Sequence, residues 1–225
     1  MQVHQEVLVM IMIIWIILHM TYIEAQDKSL LALGYTEHSF AHVTKVAAAA
    51  SDIILTLGLG ERTAELARIA GYLHDIGNLV NRHGHSESGA LIAFRLLDKL
   101  GMDPSEIAAV TTAIGNHDEG TGVPVSHIAA ALILADKADV RRSRVRNSDL
   151  STFDIHDRVN YSVTDSSLGI SENKESIRLS LKIDTKISTV MDYFEIFLER
   201  MILCRKAAEK LGLSFKLDIN GQELL

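Results

Sequence analysis

The order of apolar and polar positions changes once along this chain. Up to about residue 146 apolar residues recur at helical spacing; beyond residue 150 stretches of strict alternation enter. Glu37 to Leu57 predicts a helix that stops at Gly58. Glu61 to Leu73 predicts a second, running straight into His74-Asp75 and broken at Gly77. Ser86 to Leu100 predicts a third, closed by Gly101. Asp103-Pro104-Ser105-Glu106 is a start signal, with a capping side chain, a proline in the first turn and an acid three residues after the cap. That helix runs to about Ile114. Ser126 caps the next, which passes through Ala129, Ala130, Leu132 and Leu134 to Asp136.

After residue 150, Ile177, Leu179, Leu181 and Ile183 alternate with Arg178, Ser180, Lys182 and Asp184, which predicts a half-buried strand. Val159 to Val163 predicts another. Thr185 to Leu211 returns to helical spacing and ends at Gly212, its Met and aromatic residues reading as core. Phe215, Leu217 and Ile219 alternate before an Asn220-Gly221 turn. The expected fold class is mostly α: a helical bundle over residues 1–148, then a small α+β unit over 149–225, with the boundary in the polar stretch Arg146 to Ser151.

Val7 to Leu18 is an unbroken apolar run, extendable to a helix over 7–23 if His19 and Thr21 are accepted. A membrane span needs about 20 apolar residues. The start also lacks the basic residues and small-residue cleavage site of a signal peptide. A helix apolar on all sides is usually buried. The expectation is a buried first helix or a homodimer contact, with membrane association as the rival.

Composition narrows the partners. The net charge of −7 gives no general case for nucleic-acid binding. One cysteine, Cys204, excludes a disulfide framework and a thiolate zinc site, and fits a reducing, cytoplasmic setting. The candidate chemistry lies instead in His42, His74-Asp75, His85, His117 and Asp136. Imidazole and carboxylate suit divalent transition metals. His74-Asp75 sits inside the apolar run Ile69, Ala70, Tyr72, Leu73, Ile76, where polar groups need a partner, and bound metal is an economical one.

These residues resemble the HD-domain superfamily of metal-dependent phosphohydrolases. Leu73-His74-Asp75-Ile76-Gly77 is similar to its central motif, His42 with Val43 and Val46 to its first-helix histidine, and Asp136 followed by Lys137 to its final aspartate. The resemblance spans about residues 34–146 and implies His42, His74, Asp75 and Asp136 as the basic ligand set. His85 with Gly89, and His117 within Asn116-His117-Asp118-Glu119-Gly120-Thr121-Gly122-Val123-Pro124, resemble the extra histidines of the HD-GYP subgroup. Asn116, Val123 and Asn78 depart from that subgroup's pattern, which argues against a specificity for cyclic dinucleotides. Six ligands imply two divalent ions, of Fe, Mn, Zn, Co or Ni, with Asp75 bridging them. Two ions about 3.5–4 Å apart clamp a phosphoryl group and lower the pKa of bound water, so no separate strong base is required.

Other residues are weighed against plainer roles. His38 could face the same side as His42 and reads as a pocket residue rather than a ligand; His83 competes with His85. Lys137, Arg141, Arg142, Arg144 and Arg146 form a basic stretch that suits phosphate oxygens, or else a solvated helix end or contacts to the second unit. Catalytic roles fall to Asp75 and Lys137, and substrate contacts to Asn78, Arg82, Asp118, Arg141 and Arg144. Asp118 and Glu119 otherwise read as a solvated helix end, and Phe153 to Arg158 as packing between the units. The expected activity is hydrolysis of a phosphoester or phosphoanhydride of a nucleotide or small phosphorylated metabolite. The alternatives are a mixed-valent di-iron oxygenase on the same ligands, or a non-catalytic metal- or ligand-sensing module.

Overall fold

The computed structural model describes residues 20–225. The apolar run Val7–Leu18 lies outside the described residues, as does the expected helix over 7–23 except for its last positions, which are helical. Residues 20–32 form α1, with Ile23, Gln26 and Leu30 buried at helical spacing. Among the described residues no helix is long and apolar enough to cross a membrane.

The helices α2 (Phe40–Thr56), α3 (Glu61–Leu73), α4 (His85–Lys99), α5 (Pro104–Gly115) and α6 (His127–Lys137) follow. A 3-10 turn, Ile76–Leu79, joins α3 to α4. Caps set the starts a few residues from where periodicity alone would. Ser39 accepts from the Ala41 N–H, so α2 begins at Phe40 rather than Glu37. The Asp103 and Ser126 caps stand as expected. Every residue of α6 from Ile128 to Lys137 is buried. It is the hub of the bundle, touching α2, α3, α5 and the later helix Val190–Lys210, which is why its sequence is apolar on all sides.

Beyond residue 150 the expected strand at Val159–Val163 is corrected to a helix, α7 (Ile155–Ser162), followed by strand β1 (Val163–Ile170). Asp154 caps α7 by accepting from the Asp157 N–H, a local bond that decides for helix. Strand β1 was hidden because most of its side chains are polar or exposed. It pairs antiparallel with β2 (Ser176–Ile183), whose Ile177, Leu179, Leu181 and Ile183 are all buried, as the alternation requires. Helix α8 (Val190–Lys210) begins at a reciprocal cap between Thr189 and Asp192. It crosses over to β3 (Ser214–Ile219), parallel to β2, and β3 turns at Asn220-Gly221 into β4 (Gln222–Glu223). The result is mostly α with a small C-terminal four-stranded sheet in the order β1-β2-β3-β4. Helix α8 packs on β2 and β3 and also on α6, and one continuous hydrophobic core runs from α2 through α6 and α8 into the sheet. A helix from the second unit therefore reaches the centre of the first.

Candidate metal centre

Close backbone packing brings the six His and Asp side chains together. A Cβ on Gly71 of α3 would lie 2.7 Å from the Ala47 Cα of α2. Only glycine lets these helices approach so closely, and that approach sets His42 beside His74. A Cβ on Gly77 would lie 1.9 Å from the His85 carbonyl oxygen and 2.5 Å from the Gly89 nitrogen. Gly77 thus presses the turn after His74-Asp75 against the start of α4 and delivers His85 to Asp75. Asp136 comes from the last turn of α6, and His117 from just beyond α5.

The converging atoms form two groups that share Asp75. In the first, His42 Nε2 lies 3.3 Å from His74 Nε2, 3.6 Å from Asp75 Oδ2 and 3.4 Å from Asp136 Oδ1. His74 Nε2 lies 3.3 Å from Asp75 Oδ2 and 3.6 Å from Asp136 Oδ1. In the second, His85 Nε2 lies 3.3 Å from His117 Nε2 and 3.6 Å from Asp75 Oδ1, with Asp118 Oδ1 at 3.9 Å. His42, His74 and Asp136 hold their ligand atoms within 4.8 Å of one another, as do His74, Asp75 and His117.

The other ring nitrogens explain what this convergence is for. His42 Nδ1 bonds to Asp139 Oδ2 at 2.8 Å, His74 Nδ1 to the Gly71 carbonyl at 2.8 Å, His85 Nδ1 to the Arg82 carbonyl at 3.1 Å and His117 Nδ1 to the Ile114 carbonyl at 2.6 Å. Each partner is an acceptor, so each Nδ1 carries a proton and each ring turns its Nε2 inward, the nitrogen that can offer a lone pair to a cation. Lone pairs facing at 3.3 Å repel unless a proton or a cation lies between them. Asp75 Oδ2 is buried without a hydrogen-bond donor, a costly state for a carboxylate oxygen unless a cation sits there. This donor set fits divalent transition metal ions.

Electrostatics agree. Burial pulls the His74 imidazole down, but the carboxylates of Asp75 and Asp136 outweigh it and push its pKa up to about 10. Burial alone would raise the Asp75 and Asp136 carboxyls, yet His74 beside Asp75 and the Lys137 ammonium beside Asp136 hold both well below the usual range. Burial, and the charge on His74, push His117 far down, so it is neutral. Such opposed shifts cluster at functional sites.

The remaining expected residues separate into distinct places. Asn78 is buried and donates from Nδ2 to the Asp75 carbonyl and to Asp75 Oδ1, so it positions that carboxylate. Lys137 is buried and pairs with Asp136 Oδ2 at 2.8 Å and Glu119 Oε2 at 2.5 Å. Arg82 and Arg144 line the metal pocket. Arg144 donates to the Glu37 and Asp139 carbonyls, and Arg82 Nη1 lies 3.3 Å from His85 Nε2. Arg141 is not brought to the pocket, because Asp139 at 3.0 Å and Glu37 at 2.9 Å hold its guanidinium. Arg142 donates to the Tyr161 carbonyl and stacks over that ring, and Arg146 pairs with Asp27. His83 is exposed, whereas His85 is buried and converges. Asn116 bonds back to the Thr112 carbonyl at the surface. His38 lines the pocket without joining the converging set.

Two residues beside the converging set, Asp139 and Arg200, escaped the sequence reading, and a third, Glu119, was read mainly as a solvated helix end. Asp139 orients His42 and is held in turn by Lys45 at 2.8 Å; its signal was its place one helical turn after Asp136. Glu119 is no solvated helix end, since it bridges Lys137 to Arg200 of α8 at 3.1 Å. Arg200 had a signal as well. Tyr193, Phe197, Cys204 and Ala207 are buried on α8 at intervals of three and four residues, and Arg200 fills the place between them where an apolar residue belongs.

No curated protein and no solved structure matches the chain significantly. The HD domain family matches residues 39–143, from the cap of α2 to just past Asp139, and so encloses all six converging side chains. Residues 39–143 of the chain are an HD domain.

Proposed function

We propose that the protein hydrolyses a phosphoester or phosphoanhydride of a nucleotide or small phosphorylated metabolite, using two divalent metal ions. The observation that carries this reading is the division of Asp75. Its Oδ2 faces His42 and His74, and its Oδ1 faces His85. His42, His74, Asp136 and Asp75 Oδ2 would hold one ion, and His85, His117 and Asp75 Oδ1 the other. Bound there, the ions would supply Lewis acidity toward phosphoryl oxygens and lower the pKa of water.

The chain's own groups do the rest. Asp139 fixes the tautomer and plane of His42, and Asn78 fixes Asp75. Lys137 balances Asp136 and Glu119, keeping a buried ammonium at the pocket wall. Arg82, Arg144 and Arg200 bring three guanidiniums to the pocket, a donor array that suits the oxygens of a phosphoryl group and the charge that develops on them. Asp118 reaches the second group with a partly exposed carboxylate that can accept a hydrogen bond from water or a hydroxyl. The same ligands would accept iron for oxygenase chemistry. The excess of cations around the pocket favours an anionic substrate, and with it phosphohydrolysis.

The test is phosphate release by protein loaded with each of Fe, Mn, Zn, Co and Ni. The panel holds nucleotides, cyclic dinucleotides and sugar phosphates, with an Asp75→Ala control. Release that requires Asp75 supports the proposal. No release with any ion sinks it for those substrate classes.

A further inference from the structure

Two neighbouring cavities share part of their lining. The inner one, beside the six converging side chains, holds about 20 Å³, room for a water or a single phosphoryl oxygen but for no organic group. The outer one holds about 460 Å³. Both are lined by His38, Arg82, Arg144 and Arg200, which therefore form the neck between them. Two of its guanidiniums lie over aromatic rings, Arg82 at 5.7 Å from the Tyr35 centroid and Arg200 at 4.3 Å from that of Phe197. Arg200 Nε is buried with no hydrogen-bond partner. His38 is only 9% exposed, and its Nδ1 is taken by the Thr36 carbonyl at 2.6 Å. No hydrogen bond within the described residues takes up its Nε2, which is left as an acceptor in the neck.

Past the neck the charge reverses. One wall of the outer chamber is apolar, with Leu33, Tyr35, Ile196 and Phe197. The other is the start of α7, with Asp154, His156, Asp157 and Asn160. Among the described residues the neck arginines are the only Lys or Arg in the lining, and Glu119 there is already bridged to Lys137 and Arg200.

We propose that the outer chamber binds the organic half of a phosphomonoester, and that it selects an ammonium or hydroxyl end over a further anionic group. This rests on the phosphohydrolase reading. The phosphoryl group sits at the neck, because the inner cavity is too small for more. The organic group then lies outward against Tyr35 and Phe197, and its far end meets Asp154 and Asp157. A carboxylate or second phosphate there faces like charge; an ammonium faces opposite charge. Selection therefore comes from α7, α8 and the residues just before α2, all outside the matched family domain.

The experiment is calorimetric binding of phosphoethanolamine and phosphoglycolate, phosphomonoesters of similar size ending in an ammonium and a carboxylate, to the metal-loaded full chain. Phosphoethanolamine is expected to bind at least about tenfold more tightly. The double variant Asp154→Asn with Asp157→Asn keeps a capping side chain at the start of α7 and is expected to abolish most of that preference. Arg200→Ala, checked for unchanged metal content, is expected to weaken both compounds alike. Equal or reversed preference, a preference that survives the double variant, or no binding of either compound overturns the proposal. If the preference holds while no phosphoester is hydrolysed, the hydrolase reading fails and the chamber's assignment stands.

Discussion

The two halves of the metal centre share Asp75 and differ in what competes for each. In the first half the His42 and His74 Nε2 atoms lie 3.3 Å apart and each lies within 3.3–3.6 Å of an Asp75 oxygen and an Asp136 oxygen, and His42 is anchored by Asp139. Its competitor is a proton, because His74 lies between two carboxylates that raise its pKa to about 10. In the second, His85 Nε2 lies 3.3 Å from His117 Nε2 and 3.6 Å from Asp75 Oδ1, with Asp118 farther off at 3.9 Å. Its rings are anchored by backbone carbonyls alone, and burial holds both below the ordinary histidine pKa. Its competitor is a side chain, since Arg82 Nη1 stands 3.3 Å from the His85 lone pair. On the two-ion proposal, a closed half and a contested half would make one ion tightly held and the other exchangeable. The exchangeable position lies nearer the partly exposed Asp118.

The largest effect should come from the shared ligand. Asp75→Ala removes an oxygen from both halves, and both ions should be lost, with phosphate release falling to background. Elemental analysis after dialysis checks this; retention of either ion would break the claim that Asp75 serves both. Single-half variants come next. His42→Ala should empty the closed half, and His85→Ala should leave one ion per chain with most of its affinity intact. Equal losses from the two variants would erase the distinction between the halves. Asp139→Asn should then weaken the first ion by about 10- to 100-fold, the usual cost of disturbing the group that orients a metal-binding histidine, and leave the second nearly untouched.

Acidity should separate the halves too. His74 has an ordinary pKa of 6.5, raised to about 10 in the folded chain without metal. Its charged form therefore stabilises the metal-free protein fully below pH 6.5, and that stability is lost as pH rises through about 10. An ion entering the first half must displace this proton, so its affinity should climb about tenfold per pH unit across the same window. The second half carries no such proton and should bind with little change there. Metal titrations at a series of pH values check the sign. A first-half affinity flat with pH would show that His74 is neutral before the ion arrives.

Much of this convergence was legible in the sequence because the six side chains sit where helical patterning and motif spacing coincide. His74-Asp75 interrupts an apolar run, and Asp136 ends a helix that is apolar all round. The side chains that position and surround the ligands were harder to read, since their meaning lies in pairings across long separations. Asp139 looks like one more polar residue near a helix end until α2 places His42 against it, 97 positions away in sequence. Glu119 and Arg200 are 81 positions apart and come from different units. Arg141 shows the opposite error, a basic residue near the site whose charge Asp139 and Glu37 already absorb. The expected strand at Val159–Val163 failed for a local reason, as the Asp154 cap outweighs the β-branched residues that suggested it.

The smallest and most discriminating test concerns Arg82. Its hydrogen bond to the His85 Nε2 occupies the lone pair that the second ion would need. A hydrogen bond from a charged donor is worth about 1.5–3 kcal/mol, and the ring stack with Tyr35 tells where the side chain can remain when that bond is lost. Arg82→Ala should therefore tighten the second ion by about tenfold, near the lower end of that range, while the first ion is unaffected. The same variant should weaken inorganic phosphate, because it removes one of three guanidiniums from the neck. The two effects have opposite signs and are read separately, by metal titration and by phosphate titration of the loaded protein. If the second ion binds more weakly in Arg82→Ala, then Arg82 supports that half rather than contesting it, and the contrast between a closed half and a contested half gives way to two halves of the same kind.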